Sequence, residues 1–412
     1  MKRFFFFLFI FIATISYGQV TTDKNFEKFA ARQDSLFVNA YEQRDIKTYN
    51  KLLTGFLSKY NKLSVPDKKI FSNYLNGAYY NLCCTYSLTG DKAMAITYLK
   101  KSIETGYFDY THIQQDTDLD TIRNEKEFKI LVEPLREIGD FLFILKGANK
   151  YNLDDKRELP EFTYQSSDNS NLVALRKAFN LDSIAGAGNE ISKIINLLHW
   201  IHNLIPHDGN HENPVVKNAM SMIAECKRDN RGLNCRGLAT VLNECYLSLG
   251  IKSRIITCYP KDSLKIDSDC HVINMVYSNS LKKWLWIDPT NDAYVMNEKG
   301  ELLSIEEVRE RIINDQPLII NPDANWNRKS SVTKEDYLFR YMAKNLYKLE
   351  CPVNSEYDME TKEPGKVIAY IQLLPLVYFN QSPDKSEEKN PQTNSIMITY
   401  KTNNSKLFWQ VL

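Results

Sequence analysis

The sequence predicts an α+β fold, and three observations carry that prediction. Residues 23–138 are polar and periodic with few breakers, which is typical of helices. A stretch with one apolar face at helical spacing follows Cys235. Beyond it, residues 253–257, 271–277 and 282–287 are rich in β-branched and aromatic side chains, as strands are. We therefore expect an all-helical region followed by a core in which one helix packs on an antiparallel sheet.

Composition sets the broad class of the protein. The chain has 412 residues, enough for two or three domains, with 43% hydrophobic and 25% charged residues. This mixture is typical of a globular protein. The formal net charge is only +1, so nothing in the charge balance favours nucleic acid or an anionic surface as a partner.

The first residues have the pattern of a secretory signal. Lys2 and Arg3 precede an apolar run at 4–15, and Ser16 and Gly18 are the small residues expected before a cleavage site. We predict cleavage after residue 18 and export to the periplasm or the extracellular space. No later stretch reaches membrane-spanning length, so no membrane association is expected after removal of the signal.

The helical region, taken as residues 19–150, contains a pair of helices with tetratricopeptide-like spacing. Small and apolar residues recur between Tyr79 and Ser102, and Gly90-Asp91 provides the turn between the two helices. A single repeat buries its own face poorly, so it should pack on neighbouring helices. Two roles remain open for this region: protein or peptide docking, or a helical spacer that stabilises the rest of the chain.

Cys235 is predicted to lie in the first turn of a helix, a position that favours a reactive thiol. Asn234 is a favoured N-cap residue, and Gly250 is where the helix should end, so Cys235 lies in the first turn. The helix dipole and free N–H groups there stabilise a thiolate and can bind an oxyanion. Cys245, in contrast, lies on the apolar stripe of the same helix, as a structural cysteine does.

A predicted hairpin brings a histidine and an aspartate together. Residues 271–277 and 282–287 read as two strands, and Pro289 ends the second. If Asn279-Ser280 is a two-residue loop, His271 and Asp288 face each other directly with Cβ atoms about 5 Å apart. The sequence thus predicts a thiol, a base and an orienting acid in one site.

From about Ser192 to Thr290, these segments resemble the transglutaminase-like superfamily of thiol enzymes. Three features carry the resemblance: the nucleophile helix that exits through Leu-Gly-Ile, the histidine at the start of a strand, and the aspartate in a Trp-x-x-Asp-Pro-Thr type of strand end, which here lies within residues 284–290. The resemblance implies a papain-like, transglutaminase-like core with Cys235, His271 and Asp288 as the catalytic triad. It implies acyl transfer from amides of peptides or proteins.

The remaining assignments complete the predicted organisation. We expect a signal peptide at 1–18, a helical region at 19–150, a catalytic domain at 151–325 and a small C-terminal extension at 326–412. A polar stretch with Pro160 reads as the linker before the catalytic domain. Further candidates for substrate or oxyanion binding are, in sequence order, His207, Asn234 and Trp286.

No metal or other cofactor is predicted. His199, His202, His207 and His211 lie close together in the sequence, but they match no standard zinc-ligand spacing. The eight cysteines form neither a dense disulfide framework nor a Cys-x-x-Cys site. Cys258 and Cys270 flank a polar loop and are the best candidates for one disulfide in an exported protein.

The sequence-based hypothesis is an exported cysteine-triad enzyme that hydrolyses amide bonds, that is, a peptidase or amidase. Hydrolysis is favoured because a site open to water hydrolyses its acyl intermediate by default. Two alternatives stay open. One is transfer to an amine, which would cross-link proteins at glutamine, and the other is a non-catalytic protein-binding module with the same fold.

Overall fold

The computed structural model describes residues 23–261, 269–378 and 384–410. The predicted signal at 1–18 lies outside the described residues. The chain divides into two compact units, one ending at Phe143 and the other beginning at Ile144, close to the boundary predicted at residue 150. No helix within the described ranges is long and apolar enough to cross a membrane.

The first unit is helical throughout its described residues. Aspartate side chains at positions 23, 45 and 91 accept backbone N–H groups and so start three of its helices. Its helices are α1 (Lys24–Glu42), α2 (Ile46–Tyr60), α3 (Val65–Ile70), α4 (Ser72–Thr89), α5 (Lys92–Glu104), α6 (Tyr110–Gln115), α7 (Lys126–Val132) and α8 (Arg136–Gly139), with 3₁₀ turns at Thr117–Leu119 and Glu133–Leu135.

The predicted helical pair in this unit is α4 and α5. Gly90 adopts φ +86°, a left-handed conformation that glycine tolerates without strain, and Asp91 caps the helix that follows. Ser102 Oγ donates to the backbone oxygen of Asn76 over 2.8 Å and ties the two helices together. The helices and their turn are confirmed, and their tetratricopeptide character stays a prediction.

A seven-stranded sheet organises the second unit. Its strand order is β12-β13-β11-β9-β2-β3-β4, and all neighbours are antiparallel except β11 and β13. The strands are β1 (Thr163–Tyr164), β2 (Ser253–Tyr259), β3 (His271–Ser278), β4 (Lys283–Ile287), β5 (Val295–Met296), β6 (Ile319–Ile320), β7 (Asn325–Trp326), β8 (Ser330–Ser331), β9 (Lys348–Pro352), β10 (Asn354–Ser355), β11 (Val367–Leu373), β12 (Lys385–Lys389) and β13 (Ile396–Thr402).

Helix α14 of the second unit packs on β2 and β3 and against the three helices α10, α12 and α13. The helices of this unit are α9 (Phe141–Gly147, which spans the boundary), α10 (Ser170–Ala178), α11 (Leu181–Ala185), α12 (Glu190–Leu204), α13 (Ala219–Asp229), α14 (Cys235–Ser248), α15 (Ile305–Ile313), α16 (Ala343–Asn345) and α17 (Ser405–Trp409), with a π-helix at Glu335–Met342 and a 3₁₀ turn at Leu376–Tyr378.

Helix α14, which begins at Cys235, is fixed in the core on two sides. All residues from Gly237 to Ser248 are buried. On the sheet side, Asn274 Nδ2 of β3 donates a hydrogen bond to the backbone oxygen of Ala239 in α14 over 2.9 Å. On the other side, the hydroxyl of Tyr246 in α14 donates a hydrogen bond to a backbone oxygen of α12 over 2.8 Å. The helix therefore cannot shift relative to the sheet without breaking buried hydrogen bonds.

The C-terminal part of the chain differs from the small extension predicted for residues 326–412. Strand β9 pairs with β2 on one side and β11 on the other, and β13 and β12 continue the sheet. Without β9, one edge of β2 would leave backbone donors and acceptors unpaired. These residues are part of the core sheet because pairing between distant strands, which no local pattern specifies, places them there.

The β3–β4 hairpin corrects the predicted register. Ser278 pairs with Lys283, so the loop comprises the four residues 279–282 rather than two. His271 and Asp288 are consequently offset by two residues and do not face each other directly. A shift of two keeps both side chains on the same face of the hairpin, so they are diagonal neighbours.

A contact from α12 explains this longer loop. The carboxylate of Glu190 accepts hydrogen bonds from the backbone N–H groups of Asn279 and Ser280, at 3.0 and 2.9 Å. It also accepts from the hydroxyl of Ser278 over 2.7 Å. The four-residue loop is therefore held by a residue about ninety positions away in sequence.

Candidate active site

Cys235 is the first residue of α14, as predicted. Asn234 caps the helix, because its side-chain oxygen accepts from the backbone N–H of Gly237 over 3.2 Å. Asn213 in turn holds Asn234 by two hydrogen bonds. The Asn213 side chain donates to the side-chain oxygen of Asn234 at 2.7 Å and accepts from the backbone N–H of Asn234 at 3.0 Å. A Cβ on Gly237 would lie 2.6 Å from Asn213, so only glycine permits this approach.

His271 begins β3, directly opposite Cys258 on β2. Its imidazole is 2% exposed, and Nε2 lies 2.7 Å from Oδ2 of Asp288. The ring also makes an edge-to-face contact with Tyr341 at 5.2 Å between centroids. Since Nε2 is engaged by the carboxylate, the remaining nitrogen, Nδ1, makes the hydrogen bond between this imidazole and the Cys235 thiol.

Asp288 is completely buried and saturated with hydrogen bonds. Besides His271, its Oδ2 accepts from Asn291 Nδ2 at 2.9 Å and from the Tyr337 hydroxyl at 2.5 Å. Its Oδ1 accepts from the backbone N–H of Thr290 at 2.8 Å. Burial alone would raise the pKa of this carboxyl, but the charge of His271 and these donors lower it, so the group is a carboxylate.

The Cys235 thiol is set apart from the other cysteines by its neighbours. Burial would raise its pKa, but hydrogen bonds from His207 and His271 outweigh burial and lower the pKa to about 6. At each of the seven other cysteines, burial raises the thiol pKa: Cys83, Cys84, Cys226, Cys245, Cys258, Cys270 and Cys351.

The imidazole shifts in the opposite direction. Burial would lower the pKa of His271, but the charge of Asp288 and its hydrogen bond, together with the Cys235 thiolate, raise it to about 10. Between about pH 6 and pH 10, Cys235 and His271 therefore form a thiolate–imidazolium ion pair.

A comparison with protein families identifies this part of the chain. Residues 177–289 match the model of the transglutaminase-like superfamily, and that segment contains Cys235, His271 and Asp288. These residues form a transglutaminase-like domain. The match confirms the resemblance predicted for about residues 192–290.

Two individual proteins are similar to shorter parts of the chain. The chain is 33% identical to a chloroplastic protein of Arabidopsis thaliana over 100 residues. Those residues are 24% of this chain and 27% of the Arabidopsis protein. A solved "Putative Cysteine Protease" from Cytophaga hutchinsonii is similar over 35% of this chain and 43% of its own, at 22% identity and a TM-score of 0.22. The chain thus spans less than half the length of either protein.

The three lesser candidates for substrate or oxyanion binding have different positions relative to the thiol of the transglutaminase-like domain. His207 lies at the thiol and hydrogen-bonds it. The side-chain oxygen of Asn234 is engaged in capping α14 and in the contact with Asn213. Trp286 is 1% exposed and donates its ring N–H to the Tyr337 hydroxyl at 3.2 Å, so this donor faces the core and not a substrate.

Sequence reasoning missed the π-helix that supports the triad. It spans Glu335–Met342 and presents Tyr337 to Asp288 and Tyr341 to the ring of His271. π-Helices are rare and occur frequently at functional sites. No local signal indicated it, since the two tyrosines stand four residues apart, a spacing equally typical of an ordinary helix.

A buried ion pair fixes the approach to His271. Lys344 Nζ lies 2.7 Å from Oδ2 of Asp269, and both side chains are less than one tenth exposed. The Tyr341 hydroxyl also donates to Asp269, at 3.4 Å. The residue two positions before His271 is therefore anchored to the segment that follows the π-helix.

The four clustered histidines separate in the structure. His202 binds the backbone oxygen of Pro289 and the side chain of Asn325, and His211 binds Asp208. His199 lies 2.7 Å from Asp292 and 3.7 Å from Asp323.

These three residues form a group whose ligand atoms lie within 4.8 Å of one another. Here the imidazole nitrogens of His199 face the two carboxylates, so the group is satisfied internally as an Asp–His–Asp arrangement.

The predicted disulfide is absent. Cys258 and Cys270 are both free thiols, as are the other six cysteines. Cys258 lies inside β2, where its hydrogen-bonded ladder with β3 fixes it opposite His271. Cysteines that flank a loop need not have the Cα separation and Cβ directions that a disulfide requires.

Proposed function

We propose that this chain is a thiol enzyme that cleaves amide bonds of peptides or proteins through Cys235, His271 and Asp288. The observation that carries the proposal is the hydrogen-bonded line from the partly buried thiol to the buried imidazole and carboxylate, with a thiol pKa of about 6. Such a thiol is ionised at neutral pH and is the form that attacks carbonyl carbon. The transglutaminase-like match supports the same class of chemistry.

The first half of the reaction uses the ion pair as it stands. The Cys235 thiolate attacks the amide carbonyl carbon, and the carbonyl π electrons move to oxygen. His271, a cation at this stage, gives its Nδ1 proton to the leaving amine as the carbon–nitrogen bond breaks. Asp288 holds the imidazole by Nε2 and stabilises its charge while the proton is present.

The second half returns the site to its starting state. The neutral imidazole takes a proton from water, the resulting hydroxide attacks the thioester, and the carbon–sulfur bond breaks to release the acid and the thiolate. The same step with an amine in place of water would form a new amide. We propose water as the acceptor because it competes with every amine unless the site excludes it.

Export forms part of this proposal. The basic residues Lys2 and Arg3 followed by an apolar run support a signal that is removed after Gly18. The substrate would then be a peptide or protein met outside the cytoplasm. Mass spectrometry of the protein purified from its native cell fractions tests this, since a mature chain should begin at Gln19.

Thiol labelling tests the nucleophile directly. At neutral pH, iodoacetamide should modify the folded protein at Cys235 only, and Cys235→Ala should abolish the labelling. Cys226→Ala is the matched control, because burial raises the pKa of that thiol to about 11. Labelling at several cysteines, or none at Cys235, contradicts the proposal.

Turnover assays separate hydrolysis from transfer. Fluorescently labelled casein reports amide cleavage, and dansylcadaverine with unlabelled casein reports transfer to an amine. We expect cleavage that Cys235→Ala and His271→Ala remove at unchanged melting temperature. Amine incorporation without cleavage would make the enzyme a cross-linking transferase. Absence of both reactions, despite selective labelling of Cys235, would point to a binding module.

A further inference from the structure

A second histidine is built into the site beside the nucleophile. His207 lies in a short parallel bridge with Leu233, two residues before Cys235. Asp208 N donates to the Leu233 oxygen at 2.8 Å, and Leu233 N donates to the Pro206 oxygen at 3.2 Å. The backbone around His207 is therefore joined to the segment that leads into α14.

The bridge depends on a glycine. A Cβ on Gly232 would lie 2.3 Å from the Pro206 oxygen and 2.8 Å from the Asp208 side chain, closer than any tolerated contact. Both atoms belong to the neighbours of His207. The absence of a side chain at position 232 is thus what lets the histidine segment approach the nucleophile.

Contacts from another loop fix the imidazole further. Asn327 accepts from the His207 backbone N–H at 2.6 Å and donates to its backbone oxygen at 2.9 Å, so it clamps both backbone groups. The neighbouring Trp326 packs edge-to-face on the imidazole at 6.2 Å between centroids. The residue is only 6% exposed, so its ring is held in place and sheltered from water.

Two imidazoles consequently hydrogen-bond one sulfur, and their surroundings give them different tasks. His271 carries Asp288 on its far nitrogen and serves as the proton carrier. His207 is instead fixed through its backbone, by the bridge before α14 and by the Asn327 clamp. A ring held in this way is suited to present one N–H in a constant direction.

The reaction moves negative charge toward that N–H. When the thiolate attacks, charge leaves sulfur and appears on an oxygen attached to the carbon that sulfur has just bonded. A donor aimed at the resting thiolate is therefore close to the oxyanion that replaces it. The backbone N–H of Cys235, in the first turn of α14, is a second donor of the kind that helix geometry leaves open.

We propose that His207 is a catalytic residue whose ring N–H, together with the Cys235 backbone N–H, forms the oxyanion site of this enzyme. The assignment rests on the proposed function, because it requires attack of Cys235 on a carbonyl. His207 transfers no proton; it donates a hydrogen bond to the oxygen while the electron pair resides there. His271 remains the group that gives and takes the proton.

Two probe reactions of the full-length protein distinguish this role from simple support of the thiolate. Acylation by p-nitrophenyl acetate passes through an oxyanion, whereas alkylation by iodoacetamide does not. The pH dependence of alkylation gives the fraction of Cys235 that is thiolate in each variant. Each rate is divided by this fraction, which gives a rate per thiolate that no longer depends on the thiol pKa. In His207→Ala, acylation should fall by about 10²-fold, the cost of removing one oxyanion donor. Alkylation per thiolate should be unchanged or slightly faster, since a less stabilised thiolate is more nucleophilic.

Three further variants complete the test. His207→Gln retains an N–H donor and should recover most of the acylation rate. Gly232→Ala should displace His207 and reproduce the His207→Ala pattern with the imidazole still present. The exposed His211, bound to Asp208, gives the matched control His211→Gln, which should behave as wild type. Gly232→Ala and His207→Gln carry the test if His207→Ala fails to fold.

The outcomes separate cleanly. Equal losses of acylation and alkylation per thiolate in His207→Ala, or no loss of either, overturn the oxyanion assignment and leave the triad intact. A wild-type Cys235 that reacts with neither probe overturns the proposed function and this assignment with it. Selective loss of acylation with recovery in His207→Gln supports the assignment.

Discussion

Tyr337 donates its hydroxyl hydrogen to Oδ2 of Asp288 at 2.5 Å, the same carboxylate oxygen that accepts from His271. The phenol oxygen in turn accepts the ring N–H of Trp286 at 3.2 Å. A buried chain of donors therefore runs from the sheet through the π-helix to the acid of the triad. The orientation of the carboxylate is set by residues that lie outside the matched family segment on its C-terminal side.

Removing that hydroxyl should weaken the second unit. Tyr337→Phe leaves Asp288 with one donor fewer and Trp286 without its acceptor, so the free energy of unfolding should fall by about 1–3 kcal/mol. The pKa of Asp288 should rise, because a hydrogen bond to its charged form is lost. The urea midpoint followed by tryptophan fluorescence measures the change in stability, since all five tryptophans follow residue 143.

Tyr277→Phe is the control for this substitution, because the ring of Tyr277 packs on Trp284 within the same unit. This substitution removes the same hydroxyl oxygen from a tyrosine whose described contacts do not include Asp288. If Tyr337→Phe and Tyr277→Phe give the same urea midpoint, the hydroxyl does not stabilise the site.

The rate of reaction with pH should have two limbs. Attack requires the Cys235 thiolate, so alkylation should rise as pH increases through about 6. Amide cleavage also requires the imidazolium, so it should decline as pH increases through about 10, where His271 loses its proton. Alkylation needs no proton donor and should remain high on the alkaline side. An alkylation midpoint near the ordinary thiol pKa of about 8.5 would show that no ion pair forms.

Asp288→Asn should preserve the fold and damage the chemistry. The amide is nearly isosteric, but it removes the charge that raises the pKa of His271 and can present an N–H to the imidazole in the wrong tautomer. In serine proteases the same change lowers turnover by about 10⁴-fold, and a smaller loss is expected here because a thiol depends less on its base. The Cys235 alkylation midpoint should also move to higher pH.

Asp292→Asn is the matched control for this change. Asp292 lies four residues after Asp288 and is a buried carboxylate paired with His199. Among the described contacts, neither Asp292 nor His199 contacts the Cys235 thiol. Casein cleavage and alkylation should stay at the wild-type level in this variant. Equal behaviour of the two variants at unchanged melting temperature would remove Asp288 from the triad.

The boundary between the two units gives a test by truncation. The buried guanidinium of Arg309 donates to the backbone oxygen of Ala148 at 2.6 Å, and Leu376 N donates to that of Lys150 at 2.8 Å. A chain that begins at Ile144 keeps both acceptors and should melt cooperatively with a reactive Cys235. A chain that begins at Leu153 loses both acceptors, and the buried Arg309 donor left unsatisfied should lower its free energy of unfolding by about 1–3 kcal/mol.

Thermal unfolding of the two truncated chains, each with iodoacetamide labelling at neutral pH, measures this difference. Equal melting temperatures would place the boundary of the second unit after Asn152, as the polar composition around Pro160 suggests. Failure of both chains to melt cooperatively would mean that the second unit depends on residues before 144.

The nucleophile helix and the start of β3 could be predicted because short-range chemistry specifies them. Asn234 can cap only the next turn, the apolar stripe has helical period, and Gly250 takes φ +74° where the helix ends. His271 opens a run of β-formers, and the structure starts the strand there. Each of these signals lies within a few residues of the feature that it predicts.

The missed features depend on contacts between distant parts of the chain. The hairpin register follows from Glu190 on α12, which binds the loop that joins β3 and β4. The support of Asp288 comes from Tyr337 on the π-helix. His207 is a candidate in the sequence, but its position beside the thiol depends on a backbone approach at Gly232 and a clamp by Asn327. A single sequence does not show which distant residues contact each other, so it contains no signal for these pairings.

The order of strands in the sheet bears on when the surroundings of Cys235 can form during synthesis. Strand β2, which supports the nucleophile helix, has neighbours from residues 271–278 and 348–352, both of which leave the ribosome after it. Tyr337 also emerges late. Until those segments arrive, β2 has free edges and the Cys235 thiol lacks the imidazole and the held carboxylate that ionise it. We therefore expect a nascent chain to carry an ordinary cysteine at this position and the lowered thiol pKa to appear only with the nearly complete chain.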